Sequence, residues 1–433
     1  MLKKLAFSGA FFMVASLAHA QFLMDMVDTT KDMGKSMLAI YKKFDHIRIS
    51  GYLQPQFQAA GEKGAKSFNG GDFPATSDNR FMLRRGRLRF DYIHFSSQKG
   101  PSIQFVFQFD GTERGVFIRD FWGRLLENKY QLFSFSVGMF ARPFSYELNL
   151  SSSDRESPER GRMSQLLMKT ERDLGAMISF EPRRKDHPLR YLKLDAGLFN
   201  GPGLASTTDF DSHKDFISRL ALKPWPLSRS LTLSAAVSYL NGGLLQYNKY
   251  LNRMGTNASG KTFVNDSAET NAGKIAPRDY FGGDFQLKYK HRFGYTELRG
   301  EFISGTQTGT AASSETPAAL VTTTDGLYIR QFYGAYFYFL QNLFNPHHQL
   351  CVKYDWYDPN IDVKNEEIGK AGTRFTAADI KYSTLGLGYI YYMNDNLKLV
   401  LWYDRVRNEK TLLPGYTRDL KDDIFTCRIQ FRF

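Results

Sequence analysis

From His46 onward the sequence repeats one motif: about ten residues in which apolar and polar side chains alternate, followed by a polar break. Alternation of period two places the apolar residues on one face of an extended strand and the polar residues on the other. The last strand shows this most completely. Phe425, Cys427, Ile429, Phe431 and Phe433 fall on one face, and Thr426, Arg428, Gln430 and Arg432 on the other. Leu231, Leu233, Ala235, Val237 and Tyr239 likewise oppose Thr232, Ser234, Ala236 and Ser238, while Phe281, Phe285, Leu287 and Tyr289 oppose Asp284, Gln286, Lys288 and Lys290. Leu350, Val352, Tyr354 and Trp356 oppose Gln349, Lys353 and Asp355.

The pattern predicts strands over 46–58, 81–95, 102–110, 116–126, 131–141, 173–182, 190–199, 214–223, 230–241, 279–290, 294–305, 327–339, 348–357, 379–392, 397–407 and 422–433. The segments 116–126 and 327–339 carry bulky residues on both faces, which leaves their orientation open. Connections 96–101, 126–130, 292–293 and 393–396 are short, whereas 59–80, 142–172, 242–278, 306–326 and 358–378 are long, polar and rich in Gly, Asn, Ser and Thr. A strand that is apolar on one side and cationic on the other suits a wall between lipid and water. The expected fold is therefore all-β: a transmembrane antiparallel β-barrel of about 16 strands in the outer membrane of a Gram-negative bacterium.

The start of the chain fits export. Lys3 and Lys4 precede an apolar run from Leu5 to Leu17, and Ala18-His19-Ala20 supplies a small-x-small cleavage site. Residues 1–20 thus read as a signal peptide, 21–45 as an N-terminal periplasmic segment (a short helix or arm), and 46–433 as the barrel. No later stretch approaches the ~18 consecutive apolar residues of a membrane helix.

Composition adds three points. Aromatic residues make up 15% of the chain, with 37 Phe and 24 Tyr, enough to ring a barrel at both lipid interfaces. Two cysteines supply no disulfide framework. Removing Lys3 and Lys4 with the signal lowers the formal charge from +13 to +11. In a soluble protein that excess would point to nucleic acid; in a barrel wall it points to small anionic solutes, with outer-membrane lipid and lipopolysaccharide as the other partners.

Two clusters could carry function. In Phe81–Tyr92, if Leu88, Phe90 and Tyr92 face lipid, Arg85, Arg87, Arg89 and Asp91 line the lumen at spacings of ~6.5–7 Å. Arg84 then falls on the outer face near the rim, or turns inward through a bulge. Guanidinium groups stay charged and present planar donors that match phosphate and carboxylate oxygens. They could equally serve as ion-pair partners across the barrel. The second cluster follows the fifth strand: Arg142-Pro143-Phe144, then Asp154-Arg155-Glu156, Glu159-Arg160-Gly161-Arg162, and Glu171-Arg172-Asp173-Leu174-Gly175. Its mixed charges suit either selectivity or salt bridges that hold a loop.

In Leu83-Arg-Arg-Gly-Arg-Leu-Arg89, Arg119-Asp120-Phe121, Gly138-Met-Phe-Ala-Arg-Pro-Phe144 with Glu147 and Ser151-Ser152, Glu159-Arg160, Arg172-Asp173-Leu-Gly175 and the terminal Phe433, the chain resembles the phosphate-selective porin O and P family, including its Bacteroidetes-type members. That resemblance implies a homotrimer of sixteen-stranded barrels, an inward-folded loop after strand 5, and an arginine ladder leading to a constriction that replaces an anion's hydration. It makes Arg84, Arg85, Arg87, Arg89, Arg142, Arg155, Arg160, Arg162 and Arg172 the candidate pore-lining and anion-binding residues. The family's phosphate-binding members carry lysines on the inward loop, whereas this loop has no Lys between Ser145 and Met168.

Other chemistry is sparse. There is no phosphate-binding glycine loop and no CxxC pair, and His347-His348, the one pair of adjacent histidines, sits in a predicted turn. The expectation is a passive anion channel without catalytic residues, metal or cofactor. The alternatives are an outer-membrane barrel enzyme of lipase or protease type, which needs a nucleophile paired with a base, and a surface-binding barrel or adhesin acting through its long loops.

Overall fold

The computed structural model describes residues 46–96, 100–206 and 208–433. The signal sequence and the 21–45 segment lie outside these residues, and the compact unit considered is Ile49–Phe433.

Strands β1 (Ile47–Ala60), β2 (Asn79–Ser96), β3 (Gly100–Thr112), β4 (Gly115–Leu126) and β5 (Phe133–Ala141) lead to the long connection 142–171. The chain continues through β6 (Arg172–Phe180), β7 (Leu192–Phe199), β8 (Asp215–Pro226) and β9 (Leu231–Leu245). A hairpin, β10 (Leu251–Asn257) and β11 (Gly260–Asp266), precedes β12 (Ile275–His291), β13 (Gly294–Gly309), β14 (Leu327–Leu343) and β15 (His348–Asp358). The last strands are β16 (Tyr382–Asn394), β17 (Leu397–Asn408) and β18 (Ile424–Arg432). Neighbours pair antiparallel, β9 pairs directly with β12, and β18 returns to β1 with Tyr52 opposite Arg432 and Ala60 opposite Ile424. The closed barrel therefore contains sixteen strands, at the positions that alternation predicts. The β10–β11 hairpin stands outside it, inside the connection expected to be a plain polar loop.

Alternation sorts side chains as expected. On β18, Phe425, Ile429 and Phe431 face outward, while Thr426, Arg428 and Gln430 are enclosed. On β4 a bulge opposite Gln108 and Phe109 leaves Arg119 as the extra residue. Phe121 and Leu125 then face outward, which turns Asp120, Trp122 and Arg124 to the lumen. On β14 both faces are aromatic because the inner one, with Phe332, Tyr336 and Tyr338, meets protein rather than water. Closure matters because a barrel has no edge, and an unpaired backbone group in hydrocarbon costs several kcal/mol.

The largest apolar core lies inside the barrel. Phe144, Leu148, Met163, Leu167 and Met168 of the 142–171 connection pack on Tyr280, Phe332, Tyr336, Tyr338, Tyr357 and Trp402 of β12, β14, β15 and β17. A side chain at Gly334 would meet the Met163 sulfur at 2.7 Å, so the glycine makes room for the loop. A smaller core joins Phe263 of β11 to Tyr328, Val363, Ile368, Phe375 and Ile380, tying the hairpin to neighbouring long loops.

Phe433 exchanges both backbone hydrogen bonds with Gly51, at 3.1 and 3.0 Å, and so completes the seam between β18 and β1. Deleting Phe433 should lower the amount of heat-modifiable folded barrel in the outer membrane several-fold, as read on unboiled gels of membrane fractions. Undiminished folded protein would contradict this role.

Candidate functional site: the inward loop and the chamber beside it

The loop 142–171 enters the lumen and is fastened by its own glutamates. It carries two short helices, α1 (Tyr146–Asn149) and α2 (Arg162–Leu167). Glu301 of β13 accepts hydrogen bonds from Ser145 Oγ at 2.9 Å and from the backbone N–H groups of Tyr146 and Glu147, and so holds the start of α1. Glu147 accepts from Gly161 N and from Ser164 Oγ at 2.6 Å, and lies 3.7 Å from Lys353 of β15. Glu156 receives two bonds from Arg299 of β13, at 3.0 and 3.3 Å.

Glu159 is the most heavily bonded of these. It takes bidentate bonds from Arg84 (2.9 and 3.1 Å) and from Arg85 (2.9 and 2.6 Å), plus one from Arg428 of β18 at 3.0 Å. Consecutive residues Arg84 and Arg85 reach one carboxylate, so strict alternation of side-chain direction is broken at this point of β2. Burial on its own would push the Glu159 carboxyl up, but Arg84 and Arg85 outweigh it and hold the group well below its usual 4.5. Glu171 closes the loop by contacts to Arg119 and Arg172 and lies 3.3 Å from Arg160.

Loop carbonyls are also met by the wall. Gln54 donates to Ser152 O, Lys398 to Ser153 O and Arg155 O, Gln430 to Ser153 O, and Arg428 to Pro158 O, all within 2.7–3.2 Å. An irregular segment in a lumen must place its backbone polar groups somewhere, and here wall side chains take them.

The apolar side of the loop packs against β12–β17, and its polar contacts to β1, β2 and β18 leave open space beside the opposite wall. It is a chamber of about 430 Å³ between the loop and the wall of β1–β7. Arg87, Arg89, Arg160 and Arg172 line it, each with a carboxylate alongside: Asp110 at 3.1 Å, Asp91 at 2.7 Å, Glu171 at 3.3 Å and Asp120 at 2.9 Å. Three further cations, Arg124, Lys193 and Arg432, also line it. These sit singly in β4, β7 and β18, and no cluster in the sequence marks them out; their position two residues along from another inward side chain is the signal that could have found them.

The remaining expected residues stand elsewhere. Arg84 and Arg85 are committed to Glu159. Arg142 ties the base of the loop, donating to the carbonyls of Thr170 and Gly201 and lying 3.9 Å from Asp173. Arg162 is stacked between Phe68 and Tyr382, with its guanidinium carbon 4.3 and 3.4 Å from the ring centres. Arg155 is enclosed without lining the chamber, and its guanidinium nitrogens have no hydrogen-bond partner among the described residues. Burial, with Arg160 and Arg85 nearby, pushes it down to about 10.

Comparison with solved structures gives the outer membrane channel DcaP of Acinetobacter baumannii, at 13% identity and a TM-score of 0.51, covering 89% of this chain and 97% of that one. Salmonella typhi OmpF in complex with daunomycin, at 12% identity and a TM-score of 0.48, covers 89% and 97%. No protein-family model and no curated protein matches the sequence. The fold shared with DcaP is a closed antiparallel barrel, of sixteen strands here. With its closed ring and apolar outer face, the barrel belongs to the outer membrane of a Gram-negative bacterium.

Replacing Glu159 by Gln removes the shared partner of three guanidinium groups. Breaking a buried pair from one side typically costs ~3–5 kcal/mol, so the loop of the variant should loosen. Single-channel recordings should show larger and noisier conductance, and a protease should cut within 150–162 far faster than in the parent barrel. A carboxyl with a depressed folded value contributes fully above its usual 4.5 and loses that contribution only as pH falls through the depressed value. The difference in conductance between wild type and Glu159→Gln should therefore stay unchanged from about pH 8 to about pH 5. A step in that range would contradict the assignment.

Proposed function

We propose that the barrel is a passive outer-membrane channel for small anions, phosphate or organic, whose path runs through the chamber between the inward loop and the β1–β7 wall. The observation that carries this reading is the charge of the chamber lining: Arg87, Arg89, Arg124, Arg160, Arg172, Lys193 and Arg432 against Asp120, Asp154 and Asp195. Six of these seven cations have a carboxylate at ion-pair distance, but the partners Asp91, Asp110 and Glu171 stand outside the lining, so the surface a solute meets is cationic and favours anions over cations. Guanidinium groups already held by one carboxylate keep donors in a fixed direction, and a passing anion can take these up in exchange for water.

The same reading assigns the fastening residues a different part. Arg84, Arg85, Arg299, Lys353 and Arg428 hold the loop and set the width of the passage. The resemblance to phosphate-selective porins adds a homotrimer of such barrels, embedded among lipopolysaccharide. The loop supplies Arg160 rather than lysine to the path, which favours broad anion passage over selective phosphate binding. Export of the chain through a signal cut after Ala20 belongs to this reading as well.

Neutralising Arg87 and Arg89 together by Gln should lower the anion-to-cation permeability ratio by at least about threefold, read from the zero-current potential in a tenfold KCl gradient. The difference from wild type should shrink as the dilute side is raised toward 1 M, where the Debye length falls to ~3 Å. A folded double variant with an unaltered potential at low salt would overturn the proposal.

A further inference from the structure

We infer that the chamber contains a seat for organic anions bearing an aromatic ring, in which Arg124 holds the carboxylate and Trp122 the ring. This rests on the anion-channel reading and narrows it to a solute class. Among the chamber cations, Arg124 differs from the rest. Arg87, Arg89, Arg160, Arg172, Lys193 and Arg432 each have a carboxylate within ion-pairing distance, and Arg124 has none among the described residues. Its Nε donates to Ser136 Oγ at 2.9 Å, and its guanidinium carbon stands 4.9 Å from the centre of the Trp122 ring. These two contacts aim the group while its two terminal nitrogens make no bond to a described residue. A guanidinium so placed presents the planar fork that a carboxylate accepts bidentately.

The chamber that holds Arg124 also carries apolar surface, among polar groups such as Lys193 and Asp195, and an inorganic ion gains nothing from that surface. Trp122, Phe140 and Met177 line the same chamber from β4, β5 and β6. Gly138 is register-paired with Trp122 at a φ of +122°, and a side chain there would come within 2.8 Å of the Trp122 Cα and 2.4 Å of the Phe121 carbonyl oxygen. The wall beside the indole is thus kept bare by a residue whose backbone conformation and close approach both favour glycine. A ring carried behind a carboxylate can lie against the indole and the Phe140 ring, offset or edge-on, while the carboxylate meets Arg124. Phosphate and acetate have no such second contact.

The test uses barrels in planar bilayers with KCl, to which benzoate, acetate or inorganic phosphate is added. Benzoate should half-block the chloride current at a concentration at least tenfold below that of acetate or phosphate. Trp122→Ala should bring benzoate to the level of acetate, and Trp122→Phe, which retains a ring, should keep most of the preference. Arg124→Gln should raise the half-blocking concentration of benzoate about tenfold, which tests the seat even if the alanine variant does not fold. Equal block by benzoate and acetate in wild type, or a benzoate preference unaffected by Trp122→Ala or Arg124→Gln, would overturn the seat. The wild-type zero-current potential separates the two claims: anion preference with equal block removes the seat alone, and cation preference removes the channel reading beneath it.

Discussion

The carboxylate of Glu159, gripped by Arg84, Arg85 and Arg428, is where an irregular loop becomes part of a rigid lumen. Ordering a segment without regular secondary structure costs roughly 1–2 kcal/mol per residue in backbone entropy, so many contacts must act together. Apolar packing of Phe144, Met163 and Leu167 gives most of the attraction, but it is non-directional. Direction comes from the charged pairs. A buried ion pair is not a strong net stabiliser beside a well-packed apolar alternative, yet removing one member is costly, and the geometry is unforgiving. Glu147, Glu156, Glu159 and Glu171 each address different wall cations, so the loop has one register in which every carboxylate is matched.

From this follows the asymmetry of the lumen. On the β12–β17 side, aromatic residues of the wall face inward because they meet the loop rather than water. On the β1–β7 side the loop is held through polar contacts, from Gln54, Arg84, Arg85, Arg119 and Arg172, and between them the wall keeps the arginines, aspartates and glutamines of a wet surface. The cations of the barrel consequently divide into two groups with different tasks. Arg84, Arg85, Arg299, Lys353 and Arg428, which meet Glu147, Glu156 and Glu159, fix the loop; the chamber cations, whether beside wall aspartates, beside Glu171 or Asp154 of the loop, or, like Arg124, beside no carboxylate at ion-pair distance, line the space open to a solute.

Much of the fold was legible because a barrel wall obeys a local rule. Period-two alternation, set by lipid on one side, places all sixteen strands. The β10–β11 hairpin escaped because Leu251–Asp266 alternates weakly and finds its apolar partners far along the chain, Tyr328 at the start of β14 and Phe375 in the connection after β15. The lumen was less legible for the same reason. Which arginines face the path depends on where loop carboxylates dock, a pairing between residues far apart in sequence. Arg85 and Arg87 are equivalent by spacing, yet Glu159 removes the first from the chamber and leaves the second in it. Arg142 and Arg162 stand in a charged loop like Arg160, but one binds backbone carbonyls and the other two aromatic rings.

The central claim is that the loop seals one wall and leaves the arginine-lined wall open. Thiol accessibility tests it most directly. The native Cys351 lies on the sealed inner wall of β15, Gln108 lines the chamber, and Cys427 lies on the outer face, where Ser can replace it. In a barrel carrying Cys427→Ser and Gln108→Cys, a water-soluble anionic thiosulfonate should modify the introduced thiol quickly, a cationic one of equal size more slowly, and Cys351 should stay unmodified by either. Modification of Cys351 at a comparable rate, or faster reaction of the cationic reagent at position 108, would contradict the account.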